Sequence, residues 1–143
     1  MDFKKVTVIG GSGFVGTNLC QALSSKQVDF EILDLKLSSC FPEKCSIADV
    51  RDIDSLRNSI NGDVVVNLAA VHRDDVHDKN EYVQTNIEGA ANVAQVCSEN
   101  GIRKIVFTST VAVYGFAKPC TDESGAIKPF NEYGRTKFEA EEL

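Results

Sequence analysis

Three glycines spaced three residues apart constrain the start of this chain more than any other feature. Gly10, Gly13 and Gly16 follow the apolar run Val6–Ile9 and precede a stretch with the apolar spacing of a helix. A short apolar run that ends in glycine predicts a buried strand. In the turn that follows, Gly10 lets the backbone bend sharply, and Gly16 lets the new helix lie close to the strand. The sequence therefore predicts a strand, a tight turn and a helix packed directly on one another.

Strand-like and helix-like segments alternate along the rest of the chain. Predicted strands cover 6–9, 30–33, 46–48, 63–68 and 104–108, and predicted helices lie near 15–23, 53–60, 79–99 and 133–143. The side chains expected to face the sheet are Val15, Leu19, Ala22 and Leu23 in the first helix and Val83, Ile87, Ala90, Ala94 and Cys97 in the long one. This alternation predicts an α/β fold with a doubly wound parallel sheet, and one domain accounts for residues 1–143.

The glycine turn has the chemistry of a phosphate site. At Gly13 no side chain keeps a pyrophosphate from the backbone, and a helix that begins there offers free N–H groups and a partial positive charge. Asp34 ends the second predicted strand, eighteen residues after Gly16. A carboxylate there accepts hydrogen bonds from the adenosine ribose and repels a 2′-phosphate, which favours NAD over NADP, although Lys36 weakens that preference. Together these features predict a dinucleotide-binding (Rossmann) domain.

Two residues after the third predicted strand are candidates for an adenine site. The carboxylate of Asp49 can accept a hydrogen bond from the adenine amino group while Val50 packs on the ring. The alternative is that Asp49 caps the next helix, a position for which Asp52 is better placed.

A second polar group lies near the C-terminus. Tyr133 and Lys137 are four residues apart in the last predicted helix, which places them on one face. An ammonium beside a phenol lowers the pKa of the phenol, so this tyrosine can remove a proton from a substrate hydroxyl. Thr110 follows the fifth predicted strand, at the edge where a doubly wound sheet binds its cofactor. These three side chains form the predicted catalytic group.

Taken in order, these motifs resemble the extended short-chain dehydrogenase/reductase family, and within it the NAD-dependent epimerase/dehydratase group. The matching residues are Gly10, Gly13, Phe14, Val15, Gly16, Asp34, Asp49, Val50, Leu68, Ala69, Ala70, Asn86, Thr108, Thr110, Tyr114, Gly115, Tyr133 and Lys137. The resemblance implies that the cofactor contacts include Phe14, Val15, Leu68, Ala69, Ala70 and Thr108. It also implies that Asn86 supports the site from the long helix.

The resemblance implies hydride transfer from a sugar carbinol to NAD, with Tyr133 as the general base and Lys137 holding the nicotinamide ribose. Val111 and Ala112 stand where dehydratases of the group place an acidic pair, which favours an epimerase, such as a UDP-sugar 4-epimerase, or a simple reductase. Three interpretations stay open: an epimerase of a UDP- or dTDP-sugar, a module that binds NAD without turnover, and a related NAD(P)-dependent reductase or dehydratase. The charged segment 72–75 contacts either the sugar or phosphate of the substrate or only solvent.

Family members continue well beyond the helix that carries the tyrosine and lysine. We therefore expect this chain to hold the dinucleotide-binding part and to lack the C-terminal substrate domain. Dimers of the family often form through the long helix and the tyrosine–lysine helix, so we expect a homodimer or a higher assembly.

Charge and composition argue against other classes of protein. The net charge of −6 offers no basic excess for nucleic acid, and no apolar run approaches the roughly 20 residues of a membrane helix. The five cysteines include no C-x-x-C pair, and His72 and His77 are five residues apart, so no metal site is predicted. An odd number of cysteines is typical of reduced thiols in a cytoplasmic protein.

Overall fold

In a computed structural model, which describes residues 4–73 and 75–143, five parallel strands form one sheet. They are β1 (Lys5–Ile9), β2 (Asp29–Asp34), β3 (Cys45–Ile47), β4 (Val64–Asn67) and β5 (Lys104–Phe107). Their order across the sheet is β3-β2-β1-β4-β5. The chain first adds strands on one side of β1 and then on the other, which creates a crevice outside the carboxyl ends of β1 and β4. The predicted doubly wound α/β fold is confirmed.

Helices cover both faces of the sheet except at β5, where Ile105 and Val106 are 42% and 51% exposed. The helices are α1 (Phe14–Ser25), α2 (Ile53–Arg57), α3 (Asn80–Tyr82), α4 (Gly89–Glu99) and α5 (Glu132–Glu141), and α3 continues into α4 through a π-helical segment, Val83–Glu88. Short 3-10 turns cover Pro42–Lys44 and Val111–Tyr114. Asp52 caps α2, because its carboxylate accepts hydrogen bonds from the N–H groups of Asp54 and Ser55. None of the helices in the described part of the chain is long and apolar enough to cross a membrane.

The two faces of the sheet have separate apolar cores. Cys20 of α1 belongs to the first core, with the strand residues Val6, Val8, Phe30, Ile32 and Val66. The second core joins Leu56 of α2 and Val93, Val96 and Cys97 of α4 to the strand residues Ile9, Leu33 and Val65. Each fully buried aliphatic side chain contributes about 2 kcal/mol of hydrophobic free energy. The sheet is therefore held from both sides, with its carboxyl edge left for the cavity described below.

The buried face of α1 differs in part from the predicted one, since Leu19 and Leu23 pack against the first core as predicted and Val15 and Ala22 do not. Val15 is 58% exposed and Ala22 is also exposed, whereas Gly16 and Cys20 are buried. A Cβ on Gly16 would lie 2.4 Å from the Cα of Gly11, so the helix meets the preceding turn backbone against backbone. The contact face centres on Gly16, as the glycine spacing predicts, whereas the apolar pattern alone placed the face closer to Val15 and Ala22.

The long helix differs from its prediction for another reason. Ala90 and Cys97 are buried as predicted, but Ala94 is only partly buried, and Asn86 and Val93 lie inside. A π turn bonds residues five apart and thereby inserts an extra residue into the helix. The segment Val83–Glu88 shifts the buried face by about one position.

Candidate active site

A cavity of about 730 Å³ lies along the carboxyl edge of the sheet, within the usual size range of small-molecule sites. Most of the predicted cofactor contacts line it: Gly10, Gly13, Phe14, Val15, Gly16, Asp34, Asp49, Val50, Leu68, Ala69, Ala70, Thr108, Tyr133 and Lys137. The fold therefore brings the predicted cofactor group into one cavity with Tyr133 and Lys137 of the predicted catalytic group, although the two groups are far apart in sequence. Asn86 and Thr110 are not among the described residues that line it.

The glycine turn fits a pyrophosphate. Gly10 has a φ of +78°, and a Cβ there would lie 3.0 Å from the backbone nitrogen of Ala69, so only glycine suits the position. Helix α1 begins after Gly13, and no side chain among the described residues caps it. The N–H groups of the first turn have no acceptor within the helix, and they lie at the cavity wall. An anion bound at this end satisfies them.

Asp34 is tied to the glycine turn. One carboxylate oxygen accepts the N–H of Ser12 at 2.9 Å, and the hydroxyl of Ser12 donates to the carbonyl of Lys36, also at 2.9 Å. The backbone N–H of Lys36 lies 3.4 Å from the other carboxylate oxygen of Asp34. A carboxylate has acceptor sites for about four hydrogen bonds, so lone pairs stay open for a ribose. The contacts hold the carboxylate at the cavity in a defined orientation.

Asp49 has a partner that the sequence analysis did not identify. The guanidinium of Arg51 grips its carboxylate through Nε, at 3.0 Å from each oxygen, and through one terminal nitrogen at 2.6 Å. This hydrogen bonding lowers the pKa of the Asp49 carboxyl below its usual value. Arg51 also lines the cavity. An adenine amino group therefore has to share the carboxylate of Asp49 with a guanidinium, while Val50 is buried beside it.

Helix α5 presents Tyr133 and Lys137 to the cavity one turn apart. Asn131 caps the helix, since its side-chain oxygen accepts the N–H of Gly134 at 2.8 Å. Lys137 is 1% exposed, and its ammonium lies 3.8 Å from the centre of the Phe107 ring. Burial lowers the pKa of Lys137 to about 8, although the negative charge of Glu141 acts in the opposite direction.

The hydroxyl groups after β5 differ in their surroundings. Thr110 accepts the N–H of Ala112 at 3.1 Å, and its own hydroxyl proton has no acceptor among the described residues. Ser109 lines the cavity and hydrogen-bonds the carboxylate of Glu141. Thr108 also lines the cavity and donates to the carbonyl of Asn67 at 3.2 Å. Thr110 is thus free to donate a hydrogen bond, whereas Ser109 is already engaged.

The predicted substrate segment is only partly at the cavity. His72 lines it, whereas Arg73 and Asp75 form an exposed ion pair with N···O 3.5 Å. Asp74 lies outside the described residues.

Other lining residues carried no motif that the sequence analysis used. They are Ile9, Leu33, Leu35, Ala48, Arg51, Val71, Glu81, Thr85 and Ser109. Most of them follow a strand end, so the fold prediction places them at the correct edge of the sheet without selecting them. Glu81 and Thr85 are four residues apart at the start of the long helix, a spacing that is too common to indicate a site.

The geometry agrees with comparisons to known proteins. The model of the NAD dependent epimerase/dehydratase family matches residues 6–143. The chain belongs to this family. Because the family is NAD-dependent, the predicted cofactor is confirmed as NAD.

Members of the NAD dependent epimerase/dehydratase family that resemble the chain include both reaction types. The chain is 46% identical, over 96% of its length, to N-acetyl-alpha-D-glucosaminyl-diphospho-ditrans,octacis-undecaprenol 4-epimerase of Escherichia coli O157:H7. It is 30% identical, over 98% of its length, to an inverting UDP-N-acetylglucosamine 4,6-dehydratase of Campylobacter jejuni. It spans 42% of the length of each of these two relatives.

A solved structure agrees with the same family. The UDP-glucose 4-epimerase from Brucella ovis in complex with NAD superposes on 97% of the chain with a TM-score of 0.89 and 26% identity. The superposed region is 46% of that protein. The likeness extends over the whole sheet and its helices, which confirms the predicted Rossmann architecture.

Proposed function

We propose that the chain is the NAD-binding part of a 4-epimerase that acts on a sugar joined to a diphosphate. The observation that carries the proposal is the shared cavity, where Tyr133 and Lys137 lie with the glycine turn and Asp34. The 46% identity to the Escherichia coli 4-epimerase supports the reaction type.

The chain's own side chains have distinct roles in this reaction. NAD, when bound in the cavity, would supply the acceptor and donor of the hydride at the sugar C4. The ammonium of Lys137 stabilises the phenolate form of Tyr133, and this phenolate removes the proton of the C4 hydroxyl and becomes a phenol. The hydroxyl group of Thr110 donates a hydrogen bond to the same sugar oxygen. After the sugar has turned the opposite face of its C4 carbon toward the cofactor site, Tyr133 gives the proton back to the C4 oxygen. The configuration at C4 is then inverted.

The residues after Thr110 favour epimerisation over dehydration. Elimination of water from a sugar requires an acid and a base beside the leaving hydroxyl. Val111, which is 82% exposed, and Ala112 supply neither group. A dehydratase is therefore the less favoured member of the family for this chain.

The group on the far side of the diphosphate has two candidates. A UDP- or dTDP-sugar is the carrier expected from the motifs. A polyprenyl diphosphate sugar is the second candidate, because the relative named for such a substrate is 46% identical, whereas the Brucella ovis UDP-glucose 4-epimerase is 26% identical. Both carriers present the same sugar diphosphate to the cavity.

The first experiment is calorimetric titration of the 143-residue chain with NAD and with NADP. Micromolar NAD binding that is much tighter than NADP binding supports the cofactor site, and no binding of either dinucleotide contradicts it. UDP-N-acetylglucosamine and undecaprenyl-diphospho-N-acetylglucosamine are then supplied separately to the NAD-loaded chain, and the 4-epimer is measured by chromatography. Inversion of one of them identifies the carrier. NAD binding without inversion of either favours the module that binds NAD without turnover.

We also infer a homodimer or a higher assembly that forms through the long helix and α5, and a cytoplasmic location. The five cysteines of the chain are free thiols, which suits a reducing compartment. Sedimentation equilibrium of the purified chain tests the assembly, and a monomer at micromolar concentration contradicts it.

A further inference from the structure

The side chain of Asn86 holds one residue of the cavity wall from behind. Its amide oxygen accepts the backbone N–H of Val71 at 2.8 Å, and its amide nitrogen donates to the backbone carbonyl of Val71 at 3.0 Å. Val71 lines the cavity, whereas Asn86 is 1% exposed and lies outside it. The two bonds together fix both the position and the orientation of the Val71 backbone.

The third hydrogen bond of Asn86 reaches the catalytic helix. Its amide nitrogen also donates to the hydroxyl of Thr136 at 2.9 Å, a contact between residues fifty positions apart. The hydroxyl of Thr136 in turn lies 2.8 Å from the carbonyl of Glu132 and 3.2 Å from that of Tyr133, so its own proton donates within the helix. Thr136 is 0% exposed. No water can replace its hydroxyl without a local rearrangement.

The π-helical segment accounts for the position of Asn86. It occupies Val83–Glu88 and packs against α5. With all of its amide hydrogen-bonding groups used, Asn86 leaves no buried polar atom unpaired, and the contact acts as a rigid spacer.

We propose that Thr136 is a positioning residue, whose hydroxyl, through Asn86, sets the separation between the Val71 wall and the helix that carries Tyr133 and Lys137. This proposal rests on the proposed function, because it assigns the nicotinamide half of NAD to the space between those two walls. The glycine turn and Asp34, which hold the adenosine diphosphate half, lie outside this network of hydrogen bonds.

The test compares NAD with ADP, which lacks the nicotinamide riboside. Thr136→Val keeps the volume of the side chain but leaves a buried N–H of Asn86 without an acceptor. We expect NAD affinity to fall about tenfold and ADP affinity to stay unchanged, as measured by calorimetry on the 143-residue chain. Thr136→Ser restores the hydroxyl and should recover NAD affinity. If Thr136→Val does not fold, Thr136→Cys retains a weak acceptor and should show the same selective loss to a smaller extent.

Thr7→Val is the matched control. Thr7 is also 0% exposed, and its hydroxyl donates to Glu31 and accepts the N–H of Gly62. This variant should lower the melting temperature without changing the ratio of NAD to ADP affinity. Equal losses of NAD and ADP affinity in Thr136→Val, or no loss of either, would overturn the positioning role. If the unmodified chain binds NAD no more tightly than ADP, the nicotinamide site of the proposed function fails as well.

Discussion

The ammonium of Lys137 lies 3.8 Å from the centre of the Phe107 ring. The ring belongs to the last residue of β5 and the ammonium to α5, so the contact joins the sheet to the helix that carries Tyr133 and Lys137. A ring face attracts a desolvated cation by about 1–2 kcal/mol. This attraction does not compensate for the hydration that the ammonium loses on burial. The pKa of Lys137 therefore falls to about 8. No described residue accepts a hydrogen bond from this ammonium, which leaves it available to a ribose.

The buried ammonium predicts a stability that rises with pH. In the unfolded chain the pKa of Lys137 returns to its usual value of 10.5, so between about pH 8 and pH 10.5 the unfolded state binds more protons than the folded state. The cost of burying the charge is fully present below pH 8 and disappears across this window. Relative to Lys137→Met, the free energy of unfolding should rise by about 3 kcal/mol between these pH values, as measured by urea denaturation.

The comparison with Lys137→Met isolates the lysine. Burial raises the pKa values of the Cys20 and Cys97 thiols to about 11, and these thiols therefore affect stability above pH 9 in both proteins. Their contribution cancels in the difference. Parallel curves for the two proteins would show that the ammonium is not desolvated.

Two glycine substitutions should separate folding from cofactor binding. Gly13 has φ −77° and ψ 179°, which any residue adopts, and Asp is a preferred residue at the start of a helix. Gly13→Asp should therefore leave the melting temperature unchanged or slightly raised, while its negative charge beside the pyrophosphate abolishes NAD binding. Calorimetry and thermal unfolding measure the two effects, and unchanged NAD binding contradicts the cofactor site.

Gly16→Ala, in contrast, should lower the stability of the fold. Its Cβ would lie 2.4 Å from the Cα of Gly11 and 2.5 Å from the carbonyl oxygen of Gly10, so α1 has to move away from the turn. Overpacking of this kind costs about 3 kcal/mol of unfolding free energy. A variant that melts at the temperature of the unmodified chain would be inconsistent with this close approach.

Asp34→Asn tests the preference for NAD. The side-chain oxygen of asparagine still accepts the N–H of Ser12, so the turn keeps its conformation. The substitution removes the charge that strengthens the bonds to the ribose and repels a 2′-phosphate. We expect NAD affinity to fall about tenfold and NADP affinity to rise, both measured by titration. An unchanged ratio of the two affinities would exclude Asp34 as its determinant.

The catalytic assignment predicts how much three substitutions lower the rate of turnover. Tyr133→Phe should leave NAD affinity unchanged and lower the rate of epimerisation by about a hundredfold or more, because the general base is lost. Thr110→Ala should lower the rate more than Ser109→Ala, since the hydroxyl of Ser109 already bonds to Glu141. A larger loss from Ser109→Ala would transfer the role of Thr110 to Ser109.

Local patterns predicted the fold and most of the cavity because their causes lie close together in sequence. The turn around Gly10 requires a positive φ within a few residues of a strand and a helix, and Asp34 ends the next strand. The faces of the helices were predicted less well, because a regular α-helical period cannot anticipate the π turn of Val83–Glu88. The glycine spacing did predict the close approach at Gly16, although the apolar pattern placed Val15 and Ala22 on the buried face of α1.

By itself the sequence determined the elements, their parallel arrangement and the chemistry available at the ends of the strands. Only the tertiary structure decided which of those groups contact one another and which stay open to a ligand. The bond between Asn86 and Thr136 and the contact between Phe107 and Lys137 join residues far apart in the chain, and both depend on how α5 packs against the sheet and the long helix. Such contacts depend on the crossing of packed elements, and a shift of about one residue along either helix would remove them.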